Sequence, residues 1–536
     1  MSSDFREIFL ESECGQHQLS FTEGLTLRDV LSADGVAINS DCGGNGSCGL
    51  CVVQLEESGV FPFTSAERAR LSAKQLSEGC RLACQIRTEQ SDSRSPIHVS
   101  LVKDKLQAHW RALREDEYCS FEIANDLRIP SNRYGVAIDL GTTQIRLTLW
   151  DLVAGKRLAG RSGFNPQGSY GTDVLNRLMV ASDSIAVASE MRHLVVEAIA
   201  EALTEMQLEA GIDSDDIGKL LVVGNTAMLT LLAGKNFKML MYPENWASPI
   251  DCQPDDIEYY KLAWRLANNA EIEFIQAVGG FIGSDLLAGL LATQLIEHDT
   301  SALLVDFGTN SEIALWDGQR LLVTSAAGGP AFEGNGISCG MSGETGAIYR
   351  VQAADSGRFD MQVLGNETAR GVCGSGLVDL VALLRQTEKL DRVGRFQKDI
   401  GNAYIVSESP HIELQKGDID LLQRAKAAIG AGIAWLCNEA GLTSSSLQRV
   451  YACGAFGRLL DISHAQSIGM LPMVGSEKIK LEGNSSLAGC EMLLLSADRE
   501  QLLSSLLSVV EVHNLAEDEA FESLFVKYLY LQPIEE

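Results

Sequence analysis

Two segments of this chain repeat one another, and that restricts the fold more than any other feature. Val136-Ala-Ile-Asp139-Leu-Gly141-Thr142-Thr143 runs into Arg146-Leu-Thr-Leu-Trp150-Asp151; later, Leu304-Val-Asp306-Phe-Gly308-Thr309-Asn310 runs into Glu312-Ile-Ala-Leu-Trp316-Asp317. Each reads as strand, tight turn, strand, closed by Trp-Asp, and the second copy is one residue shorter between its aspartates. A chain so patterned builds one unit twice. The turn chemistry is specific. Glycine after a strand lets a phosphate approach backbone N–H groups. Threonine hydroxyls donate to phosphate oxygens. Asp139 on the metal side and Asp306 nearer an attacking water would supply Mg²⁺ binding and hydrolysis. One Asp-x-Gly-Thr carries little, because turns favour Asp and Gly anyway; two in matched strand contexts carry far more. The chain has no G-x-x-x-x-G-K-[ST], so a P-loop is excluded.

Further glycine-rich turns suit the same cleft. Gly371-Val-Cys373-Gly374-Ser375-Gly376-Leu377 opens an apolar helical pattern whose first amides would face a phosphate. Tyr451-Ala-Cys453-Gly454-Ala-Phe456-Gly457 follows a strand-like run and is expected near base or ribose. Taken singly, each is more often plain loop punctuation. The expected nucleotide-binding set is Gly141, Thr142, Thr143, Gly308, Thr309, Asn310, Gly374, Ser375, Gly376, Gly454 and Gly457.

A second constraint lies near the N-terminus. Cys42-Gly-Gly-Asn-Gly-Ser-Cys48-Gly-Leu-Cys51 holds three thiols in one loop, and Arg81-Leu-Ala-Cys84-Gln brings a fourth about thirty residues on. Such spacing suits a [2Fe–2S] cluster held by Cys42, Cys48, Cys51 and Cys84. The loop has one residue more between Cys42 and Cys48 than the plant-type spacing. Cys80 stands near as well; the Arg-Leu-Ala-Cys-Gln context favours Cys84. Zinc is the rival, but it ordinarily shows two short Cys or Cys/His pairs, and only Cys48 and Cys51 are so spaced. Around the loop, FREIFLES and HQLSFTEG alternate as a hairpin, Thr26 to Leu31 suggests a short helix, and Thr64 with Glu67 reads as a capped helix start. This order resembles the β-grasp fold of plant-type ferredoxins.

The duplicated Asp-x-Gly-Thr unit resembles the actin, Hsp70 and sugar-kinase superfamily, an α/β (RNase H-like) fold in which two lobes hold ATP. The whole combination is more specific. With Asn225-Thr-Ala-Met, Asn165-Pro-Gln167, Tyr170-Gly-Thr-Asp173, Gly329-Pro-Ala-Phe-Glu-Gly and Cys373-Gly-Ser-Gly-Leu, the chain resembles the reductive activators of corrinoid proteins along essentially its whole length. It has no cysteine after Cys490, so it resembles the [2Fe–2S] branch. The resemblance implies ATP-dependent reduction of Co(II) to Co(I) in a corrinoid protein of a methyltransferase system, with ATP, Mg²⁺ and the cluster as cofactors and an upstream low-potential electron donor. Plant-type clusters sit near about −400 mV, and each further 59 mV uphill costs about tenfold for one electron; hence the need for ATP. Two other readings stay open: an activator of another low-potential enzyme, of the dehydratase-activator type, and a non-redox ATPase that uses the ferredoxin for docking.

At 536 residues the chain exceeds a single core. The expected division is a ferredoxin-like domain over 1–100, a linker over 101–132 beginning as an exposed helix, a first lobe over 133–217 and a C-terminal ATPase domain over 218–536. The charge balance, 43 Lys+Arg against 72 Asp+Glu, disfavours nucleic acid and acidic membrane surfaces as partners. No apolar run reaches the roughly 18 residues of a membrane span. The N-terminus shows neither a basic nor an apolar signal stretch, and 13 cysteines suggest metal binding or buried thiols in a reducing compartment; a cytoplasmic location is expected. A homodimer is left open.

Overall fold

The computed structural model describes the chain except residues 1–4, 13–14, 23, 35, 37, 39–43, 45, 47–48, 50, 57–60, 72, 88–95, 102–107, 120–132, 172, 309, 330, 335, 355–358, 517 and 535–536. Cys42, Cys48 and Thr309 therefore lie outside the described residues.

The alternating N-terminal segments pair as an antiparallel hairpin, β1 (Phe5–Ser12) and β2 (Gly15–Thr22). With β3 (Val52–Leu55), β4 (Cys80–Leu82) and β5 (Ile97–Leu101) they form a sheet of order β2-β1-β5-β3-β4. Thr26 and Thr64 both close capping boxes, on the helices Leu27–Ala33 and Ser65–Arg70. The Glu67 of the second box also pairs with Arg81, both side chains fully buried. Burial alone would raise the pKa of Glu67; the Arg81, Thr64 and Leu82 bonds outweigh it and leave the pKa lowered. Arg81 further donates to the carbonyls of Phe61 and Pro62, so one guanidinium fixes the start of the turn that carries Cys84. This is the β-grasp arrangement.

Next come β6 (Arg111–Ala112), β7 (Tyr134–Leu140), β8 (Gln144–Asp151), β9 (Lys156–Phe164), β10 (Ile217–Gly224) and β11 (Glu271–Phe274). Then follow β12 (Ala302–Asp306), β13 (Ser311–Trp316), β14 (Leu321–Ala326), β15 (Ala347–Ala353), β16 (Phe359–Val363), β17 (Gly371–Val372), β18 (Ala403–Glu408), β19 (His411–Gln415), β20 (Arg449–Cys453), β21 (Ile479–Leu481) and β22 (Val510–Val512). Two sheets repeat one plan: β11-β10-β7-β8-β9-β6 and β21-β20-β12-β13-β14-β22. In each, the strand before the phosphate turn pairs antiparallel with the strand after it and parallel with a later one. Both Trp-Asp endings close hairpins: Asp151 Oδ1 accepts the N–H groups of Val153 and Ala154, and Asp317 Oδ1 those of Gln319 and Arg320.

Two helices cross between the sheets. Ser485–Leu495 buries Leu487, Cys490, Leu493 and Leu494 against Ala137, Leu221 and Val223 of the first sheet. Ser284–Ala292 lies against it so closely that a Cβ on Gly489 would stand 1.8 Å from the carbonyl oxygen of Ala288.

Two expected boundaries are corrected. The division at 217/218 falls at the start of β10, which is hydrogen-bonded to β7 in the middle of the first sheet, and β11 extends that sheet to Phe274. The 101–132 segment is not a free linker throughout; its described part is Leu101 and residues 108–119, and the expected helix start at 102–107 lies outside the described residues. Leu101 ends β5, and residues 108–119 form a strap on the first lobe: Arg111 and Ala112 pair with β9, Phe164 N–H donates to Ala108 O, and the Arg157 guanidinium lies 3.9 Å from the Tyr118 ring. Pairing of Arg111 and Ala112 with β9, and burial of Ala108 and Leu113 on either side, outweigh the helical propensity of this charged stretch.

Candidate functional site

Asp139 is the last residue but one of β7 and Asp306 the last of β12, each at the mouth of its turn. Asp139 is 5% exposed. Its Oδ2 accepts from Asn484 Nδ2 at 2.6 Å, and Arg146 stands 3.7 Å away. Asp306 Oδ2 accepts from Ser486 Oγ at 3.3 Å. Asp285, in the first turn of Ser284–Ala292, and Glu312, opposite Asp306 in the β12–β13 register, complete an acidic group in which Asp139 and Glu312 are buried and Asp285 and Asp306 half-buried. Burial, then mutual repulsion, raises all of them: Asp306 to about 6, Asp285 to about 8, Glu312 well above the usual carboxylate range. Burial raises Asp139 too, against the opposing Arg146 and Asn484. Carboxylates held this way regain their charge when a cation joins them, so this donor set fits a hard divalent ion.

The first turn is built to present amides. Asn165 Nδ2 donates to Gly141 O at 2.9 Å, and the buried Arg177 to Thr142 O at 2.7 Å. Peptide planarity then points the N–H groups of Thr142 and Thr143 the opposite way. Thr142 Oγ1 accepts from Asn225 Nδ2 at 2.6 Å, which leaves its proton to donate elsewhere. In the second lobe Gly454 has φ +90°, and a Cβ there would sit 2.8 Å from Asp306 Oδ1; only glycine lets this turn close over the aspartate.

The structure thus brings Asp139, Asp306 and Gly454 together, with Gly141, Thr142 and Thr143 following Asp139 and Gly308 and Asn310 following Asp306; Thr309 lies outside the described residues. Gly374, Ser375 and Gly376 start the helix Gly374–Gln386 as expected, but their contacts are with β15: Ser375 Oγ donates to Tyr349 O, and a Cβ on Gly376 would meet Ile348 O at 2.2 Å. Gly457 likewise packs on Ala452 O. Sequence reading did not single out Asp285, Glu312, Arg146, Arg177, Asn484 or Ser486 as site residues. Strand register carried the signal for Arg146 and Glu312, each opposite a repeat aspartate. For Asn484 it was the Asn-Ser-Ser-Leu helix start.

In the N-terminal domain, Cys51 and Cys84 are buried, and Ala83 N–H donates to Cys51 O at 2.8 Å. Gln85 Nε2 donates to Gly44 O and lies 3.4 Å from Cys84 Sγ, tying the fourth-cysteine turn to the glycine loop. The Arg28 guanidinium acts electrostatically on both thiols. Two buried sulfurs against a glycine loop and one cation fit a cluster of anionic thiolates. Cys80 lies on β4 opposite Gln54, in the same hydrophobic core as Cys51 and Cys84.

A family model for the C-terminal domain of RACo, the ASKHA domain, matches residues 300–535, and one for the RACo middle region matches 134–298. A 2Fe-2S iron-sulfur cluster binding domain matches 11–89. The chain is 27% identical to the corrinoid activation enzyme RamQ of Eubacterium limosum, over 95% of this chain and 97% of that protein. It is 29% identical to the [Co(II) methylated amine-specific corrinoid protein] reductase of Methanosarcina barkeri, over 68% and 71%. Among solved structures, a reductive activator for corrinoid, iron-sulfur protein superposes with a TM-score of 0.66 over 99% of both chains at 24% identity. Among the described residues no helix is long and apolar enough to cross a membrane.

Proposed function

The chain belongs to the family of reductive activators of corrinoid proteins, and on that premise we propose that it reduces Co(II) to Co(I) in a corrinoid protein of a methyltransferase system at the expense of ATP. The observation that carries this reading is one chain holding both an iron–sulfur domain and a two-sheet cleft whose aspartates face each other. Cys42, Cys48, Cys51 and Cys84 would hold the [2Fe–2S] cluster, which would supply one electron at a time from an upstream low-potential donor. The net change would be one electron taking the partner's Co(II) to Co(I), while ATP and water give ADP and phosphate.

In the cleft, the amides of Thr142 and Thr143 and the Thr142 hydroxyl receive phosphate oxygens. The raised carboxylates of Asp285, Asp306 and Glu312 favour Mg²⁺ on their side. Asp139, fixed by Asn484 and Arg146, then orients the attacking water; this reverses the roles expected from the sequence. The seven described cysteines from Cys119 to Cys490 are buried or half-buried thiols, which accords with a cytoplasmic protein.

The test follows the Co(II) and Co(I) absorption bands of corrinoid proteins encoded beside this gene, with a strong reductant present. Reduction should require ATP and should be lost on deletion of residues 1–100. Reduction that proceeds equally without ATP removes the coupling; reduction of none of the partners favours the docking reading.

A further inference from the structure

Asn484 caps the helix Ser485–Leu495 by accepting the Leu487 N–H at 2.9 Å, while its amide donates to Asp139. Two residues on, Ser486 donates to Asp306. One helix start therefore touches the aspartates of both sheets. Immediately before it, Gly483 O accepts the Gly454 N–H at 3.0 Å, and Gly454 is the residue folded over Asp306. The other side of Gly483 meets the strap: a Cβ there would lie 3.3 Å from Cys119 Sγ. The strap is the first described segment after the iron–sulfur domain.

We infer that Asn484 and Ser486 are positioning residues for the two aspartates, and that their loop transmits the state of the cleft through Gly483 to the strap. The physical reason is connectivity. A ligand that draws Asp139 and Asp306 into new positions pulls on both ends of a single turn, whose other surface is packed on Cys119. The helix behind that turn is anchored on the first sheet by Leu487, Leu493 and Leu494, so the turn yields more readily than the helix. This inference rests on reading the cleft as an ATP site.

Cys119 reports on it. Its thiol is half-buried while every other described cysteine is buried; burial, then Glu482 nearby, pushes it up to about 11 against the opposing backbone of Gly483, so a shift of Gly483 should change its alkylation rate. The experiment uses the full chain with its cluster, iodoacetamide, peptide mass spectrometry and a non-hydrolysable ATP analogue with Mg²⁺. The analogue should change the Cys119 modification rate by about fivefold or more. Asn484→Ser keeps a good helix cap but cannot reach Asp139. It should lower kcat for ATP by about tenfold with little change in KM, and abolish the Cys119 response at an unchanged melting temperature. Ser486→Ala should do the same more weakly. Wild-type turnover and a wild-type Cys119 response in Asn484→Ser would overturn the positioning role. Calorimetric binding of the analogue without any change at Cys119 would overturn the transmission while leaving the ATP site standing. Absence of binding would remove the ATP site, and the inference with it.

Discussion

The two copies of the repeat share a strand order but differ in what faces their aspartates. Opposite Asp139 in the register stands Arg146; opposite Asp306 stands Glu312. The endings differ too. Trp150 Nε1 donates to Glu491 on the helix between the sheets, which Arg157 also grips at 2.6 and 2.8 Å, whereas Trp316 Nε1 donates to His298 O within its own lobe. Backbone geometry is set by the alternation and the turn glycines, which both copies keep. The side chains at paired positions are free to diverge, and the proposed division of roles follows that difference. One sheet presents a balanced aspartate and is tied to the crossing helix; the other presents unbalanced carboxylates suited to a cation.

That division can be broken. The largest effect should follow Asp139→Ala or Asp306→Ala, each lowering ATP turnover by about 100-fold or more. The cluster spectrum should remain, since the iron–sulfur domain has its own core. Mg²⁺ titration should separate the two: Asp306→Ala raises the Mg²⁺ requirement, and Asp139→Ala leaves it near wild type. Equal Mg²⁺ requirements would erase the division of roles.

Next in size is the Trp150 knot. Glu491→Gln leaves the partly buried Arg157 without its counter-charge and should destabilise the protein by about 3 kcal/mol, measured by urea unfolding. Trp316→Phe loses one hydrogen bond to a carbonyl and should cost about 1 kcal/mol. A larger loss at Trp316 would mean that the second lobe, not the first, carries the tie between sheets.

The smallest effect is a slope. Burial, then Asp139 and Asp306 nearby, pushes Asp285 up to about 8 in the folded protein, against about 3.9 unfolded. Between those values the native state holds more protons, so without Mg²⁺ the ionising carboxylate erodes stability as pH rises. Asp285→Asn should therefore raise the melting temperature by about 2 °C or more at pH 8 and hardly at all at pH 4. An equal gain at both would show that Asp285 is not held out of its ionised state.

Local patterns made much of this legible. The hairpin β1–β2 follows from strict alternation, the starts of Leu27–Ala33 and Ser65–Arg70 from Thr-x-x-acid boxes, and the two sheets from the doubled turn. What stayed hidden depends on distant packing. Nothing near residue 217 announces that β10 joins a strand some eighty residues earlier. The strap at 108–119 has a helical composition and becomes extended only because β9 offers it an edge. Asp285 and Asn484 look like ordinary helix starts until the crossing of their helices delivers them to the cleft.

That crossing bears on how the chain can be divided. The two family models meet between 298 and 300, yet the helix that covers Ala137, Leu221 and Val223 is encoded nearly two hundred residues further on. A fragment cut at that seam would expose an apolar sheet face, and its companion would carry an apolar helix with nothing to cover; each burial of a leucine forgone costs about 1.5–3 kcal/mol. Neither piece is a self-sufficient module. Produced together, the two halves should complement one another as a split protein, joined by a helix that one half encodes and the other needs.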